Sequence, residues 1–345
     1  MKKRDSLIRS VLNSPQSGLV LVILALGIIL TSFAGSHVEP DSGRVINNFF
    51  NPFTLMQTAT NASFFAIMAV GATIIIISGR IDLSVGSIYA LSGVAMAMAL
   101  RALSPLGPLA TLSIGLLICI GVGALCGILN GVMVVGLRVH PFIITLGTMW
   151  ILRGIAFVVS KAESILVPDA LTDFAKATLG LRSGLYPVPL FFMLAVTLLG
   201  VLFLARMVAG RYVYAIGGNL EASRYSGLRI GRILIGVYML SGLSAGIAAF
   251  VGSAYYGSAA CADATGYELY VIAAAVVGGA SLRGGKGNAV NATLGALLIV
   301  LIRQSVTTLQ LDQNYEWIII GCAIIVAVVL DQLNTNLAVS RGKAK

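Results

Sequence analysis

Gly210-Arg-Tyr-Val-Tyr-Ala-Ile-Gly-Gly-Asn-Leu-Glu-Ala-Ser-Arg-Tyr-Ser-Gly227 is a polar island between two apolar runs, 187–207 and 233–254. Each run is long enough to cross a bilayer, which needs about 20 apolar residues. Five arginines and no lysine stand in and around the island: Arg206, Arg211, Arg224, Arg229 and Arg232. Within it the residues predict a short helix over 220–226. Asn219 caps the start, Glu221 lies in the first turn where the helix dipole favours an anion, and Gly227 ends it. A loop that only joined two membrane helices has no need of a capped, charged helix. The pattern reads as a handle for another protein.

The rest of the chain repeats the flanking pattern. Of its 345 residues, 58 % are hydrophobic and only 10 % charged, against about 25 % charged in a soluble domain. Continuous apolar runs predict an all-α polytopic membrane protein with about ten helices, at 17–34, 58–78, 84–100, 109–136, 142–160, 187–207, 233–254, 267–281, 288–304 and 315–333. The runs do not alternate apolar with polar residues, as barrel strands would. The first run is too long for a signal-peptide core and lacks a small-residue cleavage site, so it reads as a retained helix. Residues 1–16 and 334–345 are then tails, 17–333 a single transmembrane domain, and 208–232 its coupling loop.

The net charge of +10 is an orientation signal. With the N-terminus inside, 16 of the 23 positive charges fall on inner segments, among them Lys2, Lys3, Arg80, Arg138, the loop arginines, Arg283, Lys286 and Lys345. Six fall outside: Arg44, Arg101, Lys161, Lys176, Arg182 and Arg303. Arg153 lies within a helix. The bias places both termini in the cytoplasm. No basic patch is interleaved with exposed aromatics, so nucleic acid is not an expected partner. The outer loop 161–186 has room for a surface helix, and is either a landing place for an external partner or a solvated connector.

Two glycine-rich breaks suggest two halves. Ile77-Ser-Gly-Arg-Ile-Asp-Leu-Ser-Val-Gly86 separates the second and third helices, and Gly278-Gly-Ala-Ser-Leu-Arg-Gly-Gly-Lys-Gly287 the eighth and ninth. Five plus five helices would be an inverted repeat, common in transporters. Gly79, Gly86, Gly278, Gly279, Gly284 and Gly285 supply tight turns and close approach. Gly242-Leu-Ser-Ala-Gly246 serves helix packing in the same way. The second break is not a nucleotide loop: Lys286 is followed by glycine rather than Ser or Thr, and Ala280 stands where the first glycine should.

Catalytic and metal chemistry lack support. Cys119, Cys126, Cys261 and Cys322 have no metal-ligand spacing, and His37 and His140 are far apart. His140, before Pro141, reads as a helix-entry residue. Asp82 is either a relay for a coupling ion or the cap of the helix that follows, and the cap is the favoured reading. Arg153 faces a path or pairs with a neighbouring carboxylate, the pairing being favoured.

Four segments resemble the permease subunits of bacterial ABC importers of the ribose, xylose and galactose type: residues 78–87, His140-Pro-Phe-Ile-Ile-Thr-Leu-Gly-Thr-Met-Trp-Ile-Leu-Arg-Gly154, the loop 210–227, and 266–287. The resemblance covers about 50–330, with two departures. Arg80 replaces the second glycine of Gly-Gly-Ile-Asp-Leu-Ser, and Ser223 the final alanine of Glu-Ala-Ala. The resemblance implies a multi-pass protein of the inner membrane, working as a homodimer or heterodimer of permeases. It further implies cytoplasmic ABC ATPase subunits that bind ATP and Mg, a periplasmic sugar-binding protein, and no cofactor in this chain. Membrane lipid is the remaining partner. The helix at 220–226 matches a coupling helix, with Asn219, Glu221, Ala222, Ser223, Arg224 and Gly227 as its ATPase-facing residues. Asn61, Asp82, Tyr89, Thr145, Trp150, Tyr255 and Tyr256 are the path candidates, because aromatic faces and neutral hydrogen-bonding groups suit a sugar. Rival readings are an ABC permease for a nucleoside, branched-chain amino acid or signalling furanose, an ion-coupled carrier dependent on Asp82, and a membrane enzyme or scaffold.

Overall fold

The computed structural model describes residues 15–38, 43–322, 325–326 and 329. The tails, with Lys2, Lys3, Arg4, Arg9, Arg341, Lys343 and Lys345, lie outside the described residues, as does most of the end of the expected tenth helix. Helices dominate the described residues: α1 Pro15–Phe33, α2 Pro52–Ile77, α3 Val85–Leu103, α4 Pro108–Leu137, α5 Pro141–Ser160, α6 Asp169–Ala175, α7 Val188–Arg206, α8 Val208–Gly218, α9 Leu220–Tyr225, α10 Ile230–Tyr256, α11 Tyr267–Val277 and α12 Ala289–Thr308. Helix resumes at 315–322. Seven of these, α2, α3, α4, α5, α7, α10 and α12, are long and apolar enough to span a membrane, while α1 and α11 are shorter apolar helices.

Prolines set several helix starts. Pro52, Pro108 and Pro141 occupy the first turn, where the missing N–H is no loss. Asn51 caps α2 by accepting the Thr54 amide at 2.9 Å, and His140 Nδ1 accepts the Phe142 amide at 3.3 Å. His140 is thus a helix-entry residue.

α2 is the buried axis of the bundle, with 94 % of its apolar span covered, whereas α4, α5 and α7 are mostly exposed along theirs. The most extensive helix pair, α4 with α10, is built on glycine. Gly123 and Gly127 meet Gly242 and Gly246, and Gly131, four residues further on, lies against Ile235 and Tyr238. A Cβ at Gly127 would sit 2.9 Å from Met239 Cα, and one at Gly242 would sit 3.0 Å from Gly127 Cα. Such small-residue stripes let backbones close up where no hydrophobic force acts between helices.

The outer loop holds the expected short helix as α6, packed inward through Leu171 and Ala175. Next to it β3 (Ile165–Leu166) pairs antiparallel with β4 (Ser258–Ala259), and β1 (Ser36–Val38) with β2 (Val45–Asn47).

Candidate coupling end and solute cavity

The two glycine-rich breaks end their helices in the same way. At the first, the Gly79 amide bonds Ile76 O and the Arg80 amide bonds Ile75 O; at the second, Gly279 bonds Val276 O and Ala280 bonds Ala275 O. Both are Schellman closures with glycine in the left-handed region, φ 74° at Gly79 and 89° at Gly279. The same closure thus stands at both breaks, 200 residues apart. The breaks also meet, since the Gly285 amide donates to Ile77 O at 2.8 Å.

α8 lies over that meeting point. A Cβ at Gly217 would overlap Ile77 O and stand 2.6 Å from Gly285 N, so only glycine fits. Gly284 packs on Gly79 and Gly217 within 3.0 Å of a would-be Cβ. Tyr214 adds a tether, its hydroxyl donating to Gly287 O at 2.7 Å. The sequence placed 208–218 in a loop, but the structure makes it a helix. Gly210, Val213 and Ile216 are buried, a three-residue period that marks a helical face and is obscured by three glycines.

α9 follows directly. Asn219 Oδ1 accepts the Ala222 amide at 2.9 Å. The helix ends in a third Schellman closure, with Leu228 N bonding Ser223 O and Gly227 at φ 77°. Glu221, Ala222 and Arg224 are exposed. Ser223 is not: it is buried and donates to Asn219 O at 2.8 Å, so its hydroxyl braces the helix from inside. Tyr225, which sequence reasoning passed over, is 88 % exposed. A bare aromatic beside an arginine on a projecting helix is the composition of a protein-interface anchor.

Asp82 closes the first break. Its Oδ1 accepts the Ser84 amide at 2.9 Å and the Ser84 hydroxyl at 2.6 Å, and its Oδ2 accepts Ser241 Oγ at 3.1 Å. Asn130 reaches the same serine, Nδ2 to Ser84 Oγ at 2.7 Å. The cap residue of α3 is Ser84, not Asp82 as the sequence suggested; the carboxylate ties Ser84 to α10 through Ser241, and Ser84 in turn is held to α4 by Asn130. Arg80 donates to Gly79 O rather than to Asp82. Arg153 does not form the carboxylate pair expected from the sequence: among the described residues its hydrogen bonds go to two backbone carbonyls, Cys261 O at 2.7 Å and Asp263 O at 2.6 Å, and so it clasps the 257–266 loop.

At the opposite end of the bundle a cavity of about 200 Å³ is lined by Asn61, Phe65, Tyr256, Tyr267, Arg303, Gln304, Thr307, Gln313 and Glu316, among others. Tyr256 donates to Asn61 Oδ1 at 3.2 Å. Arg303 is held by Glu316 at 2.7 Å and lies over the faces of Phe65 and Tyr270, 5.6 and 5.3 Å from the ring centroids. Tyr270 donates to Glu316 at 3.0 Å. Tyr255 stacks edge-on against Tyr256, and Tyr89 stands 6.3 Å from Tyr267. The structure thus brings Asn61, Tyr89, Tyr255 and Tyr256 into one aromatic cluster. It does not bring Thr145, which is buried and donates to Pro141 O at 3.0 Å, nor Trp150, which is 68 % exposed. Arg303 escaped sequence reasoning because it read as an orientation charge, and Glu316 because no local signal pairs it with Arg303, 13 residues away.

Comparison with known proteins settles the family. A model described as the permease component of branched-chain amino acid transport systems matches residues 54–328. The chain belongs to this permease family. Relatives similar to this permease include the D-allose transport system permease protein AlsC of Escherichia coli, 37 % identical over 89 % of this chain and 90 % of that one. The ribose import permease protein RbsC of Escherichia coli is 36 % identical over 92 % and 93 %, and the fructose import permease protein FrcC of Rhizobium meliloti 31 % over 91 % and 83 %. The permease is accordingly a multi-pass transport subunit and not an enzyme.

Proposed function

We propose that this permease is the transmembrane subunit of an ATP-driven importer that carries a monosaccharide into the cytoplasm by alternating access. The Arg-rich end faces the cytoplasm, with both termini there. The aromatic cavity then opens toward the outside, where a periplasmic sugar-binding protein docks. α9 is the contact for a separate ATPase subunit that binds ATP and Mg, and a second permease chain completes the path.

The observation that carries this reading is the attachment of α9. Its parent helix α8 bears through Gly217 on both helix breaks at once. A push on α9 reaches the two halves of the bundle with no flexible linker between, which is what rigid-body rocking needs. The cavity supports the substrate class. At about 200 Å³ it is smaller than the ~300–1,000 Å³ of drug-sized sites. Aromatic faces and the amides of Asn61, Gln304 and Gln313 suit hydroxyl-rich solutes better than the branched apolar side chain in the family model's description. The relatives named as allose, ribose and fructose permeases favour the same class. Asp82, spent on Ser84 and Ser241, offers no open carboxylate for a coupling ion. The test is deletion of 220–226: the chain should remain in the membrane while sugar-stimulated ATP hydrolysis by the assembled complex is lost. Normal transport by the deleted complex would overturn the coupling role.

A further inference from the structure

Near the Arg-rich end the bundle carries a cleft between α7 and α10 of about 640 Å³. Its walls are aliphatic and aromatic, as in Leu199, Phe203, Val213 and Leu240, and α2 supplies the floor through Val70 and Ile74. The one polar side chain along its length, Ser244, is already bonded to Ser241 O. The one charged residue is Arg232, at the cleft's end. It is exposed, and no hydrogen bond or ion pair engages it among the described residues. Arg206, in the last turn of α7, and Arg229, the N-cap of α10, stand at the same end.

We propose that this cleft binds an anionic phospholipid, one acyl chain along α10 and the phosphate at Arg232. The cleft runs from Arg232 to Ile247, about 22 Å of helix at 1.5 Å per residue. That exceeds the ~15 Å half-thickness of the hydrocarbon core, so the cleft is long enough to take one acyl chain of a single leaflet over its whole length. An acyl chain needs no hydrogen bonds, which the walls do not offer. A phosphate matches the planar fork of a guanidinium, and basic pockets between membrane helices at the interface select anionic headgroups. The cleft also touches Met207, Ala209 and Val213, so the bound lipid would rest against α8, the helix leading to α9. The inference concerns binding and does not depend on what the permease carries.

The test is native mass spectrometry of the full-length permease released from bilayers of equal phosphatidylglycerol and phosphatidylcholine. The wild type should retain phosphatidylglycerol preferentially. Arg232→Gln should lower that retention about five-fold, the change for one basic residue at an anionic surface, and leave phosphatidylcholine unchanged. Gly236→Leu should displace the lipid by filling the cleft; no atom lies within 4 Å of a Cβ there, so the backbone has room for it. If that variant fails to fold, Leu240→Phe fills the same space. Equal retention of the two lipids by the wild type would refute the proposal, as would no effect of Arg232→Gln. So would a cleft filled by a second copy of the chain, seen as dissociation of a dimer by Gly236→Leu with bound lipid unchanged.

Discussion

Replacing Gly217 by alanine should uncouple transport from ATP hydrolysis. The new Cβ would overlap Ile77 O and lie 2.6 Å from Gly285 N. To restore the 3.4 Å of ordinary contact, Gly285 must recede by about 0.8 Å. Its 2.8 Å bond to Ile77 O would then stretch to about 3.6 Å, no longer a hydrogen bond. Overpacking costs about 1–3 kcal/mol, and a buried amide left unmade about 1–3 kcal/mol more. If the junction is tight in only one of the two access states, even ~2 kcal/mol shifts their balance about thirty-fold. The assay is sugar uptake and sugar-stimulated ATP hydrolysis in vesicles holding the whole complex. Uptake should fall at least ten-fold in Gly217→Ala. Gly218→Ala is the control: its Cβ meets no atom within 4 Å, and uptake should be unchanged. Wild-type uptake by Gly217→Ala would refute the junction's role. An equal loss in Gly218→Ala would show that helix chemistry, not the close contact, is responsible.

Other outcomes follow from the same geometry. Tyr225→Ala should weaken co-purification of the ATPase by about 2 kcal/mol, the scale of an interface anchor, measured as a shift in ATPase titration, with thermal stability of the permease unchanged. Gly242→Val should lower thermal stability by at least about 2 kcal/mol, because α4 and α10 cannot separate without losing their backbone contact. Asp82→Ala should destabilise the protein by about 1–3 kcal/mol by stranding the Ser84 and Ser241 hydroxyls, read in a detergent melting curve. Dissipating the proton or sodium gradient should leave wild-type uptake intact. Asn61→Ala should slow uptake about five-fold at saturating binding protein, the weight of one hydrogen bond, without altering basal ATP hydrolysis.

Much of this was legible in the residues. The spans follow continuous apolar runs, and most of the long observed helices start and stop within four residues of them; α2 starts six residues early, at Pro52, because a proline and an asparagine cap set its start ahead of the apolar run. Asn219 and Gly227 announced both ends of α9, because caps are local chemistry. What escaped was tertiary or ambiguous. No local rule puts Gly217 against Gly285, 68 residues away, and the glycines that permit that contact also hid α8. Trp150 was a path candidate because an aromatic in a span suits a sugar as well as it suits lipid; its helix turns it to the exterior. Arg303 carries one charge, which topology counting absorbed before its stacking on Phe65 and Tyr270 was visible. Ser223, a departure from the family pattern, faces inward, so it braces α9 and leaves the exposed face of that helix to Glu221, Ala222, Arg224 and Tyr225.

The central claim is that this chain moves sugar only when a separate ATPase drives it through α9. Reconstitution tests it most directly: vesicles containing the permease, its ATPase and its sugar-binding protein, assayed for uptake of ribose, allose and fructose with and without ATP. The account predicts ATP-dependent uptake of a sugar, matched by stimulated hydrolysis and lost when 220–226 is removed. Uptake by the permease alone, driven by an ion gradient, would contradict it.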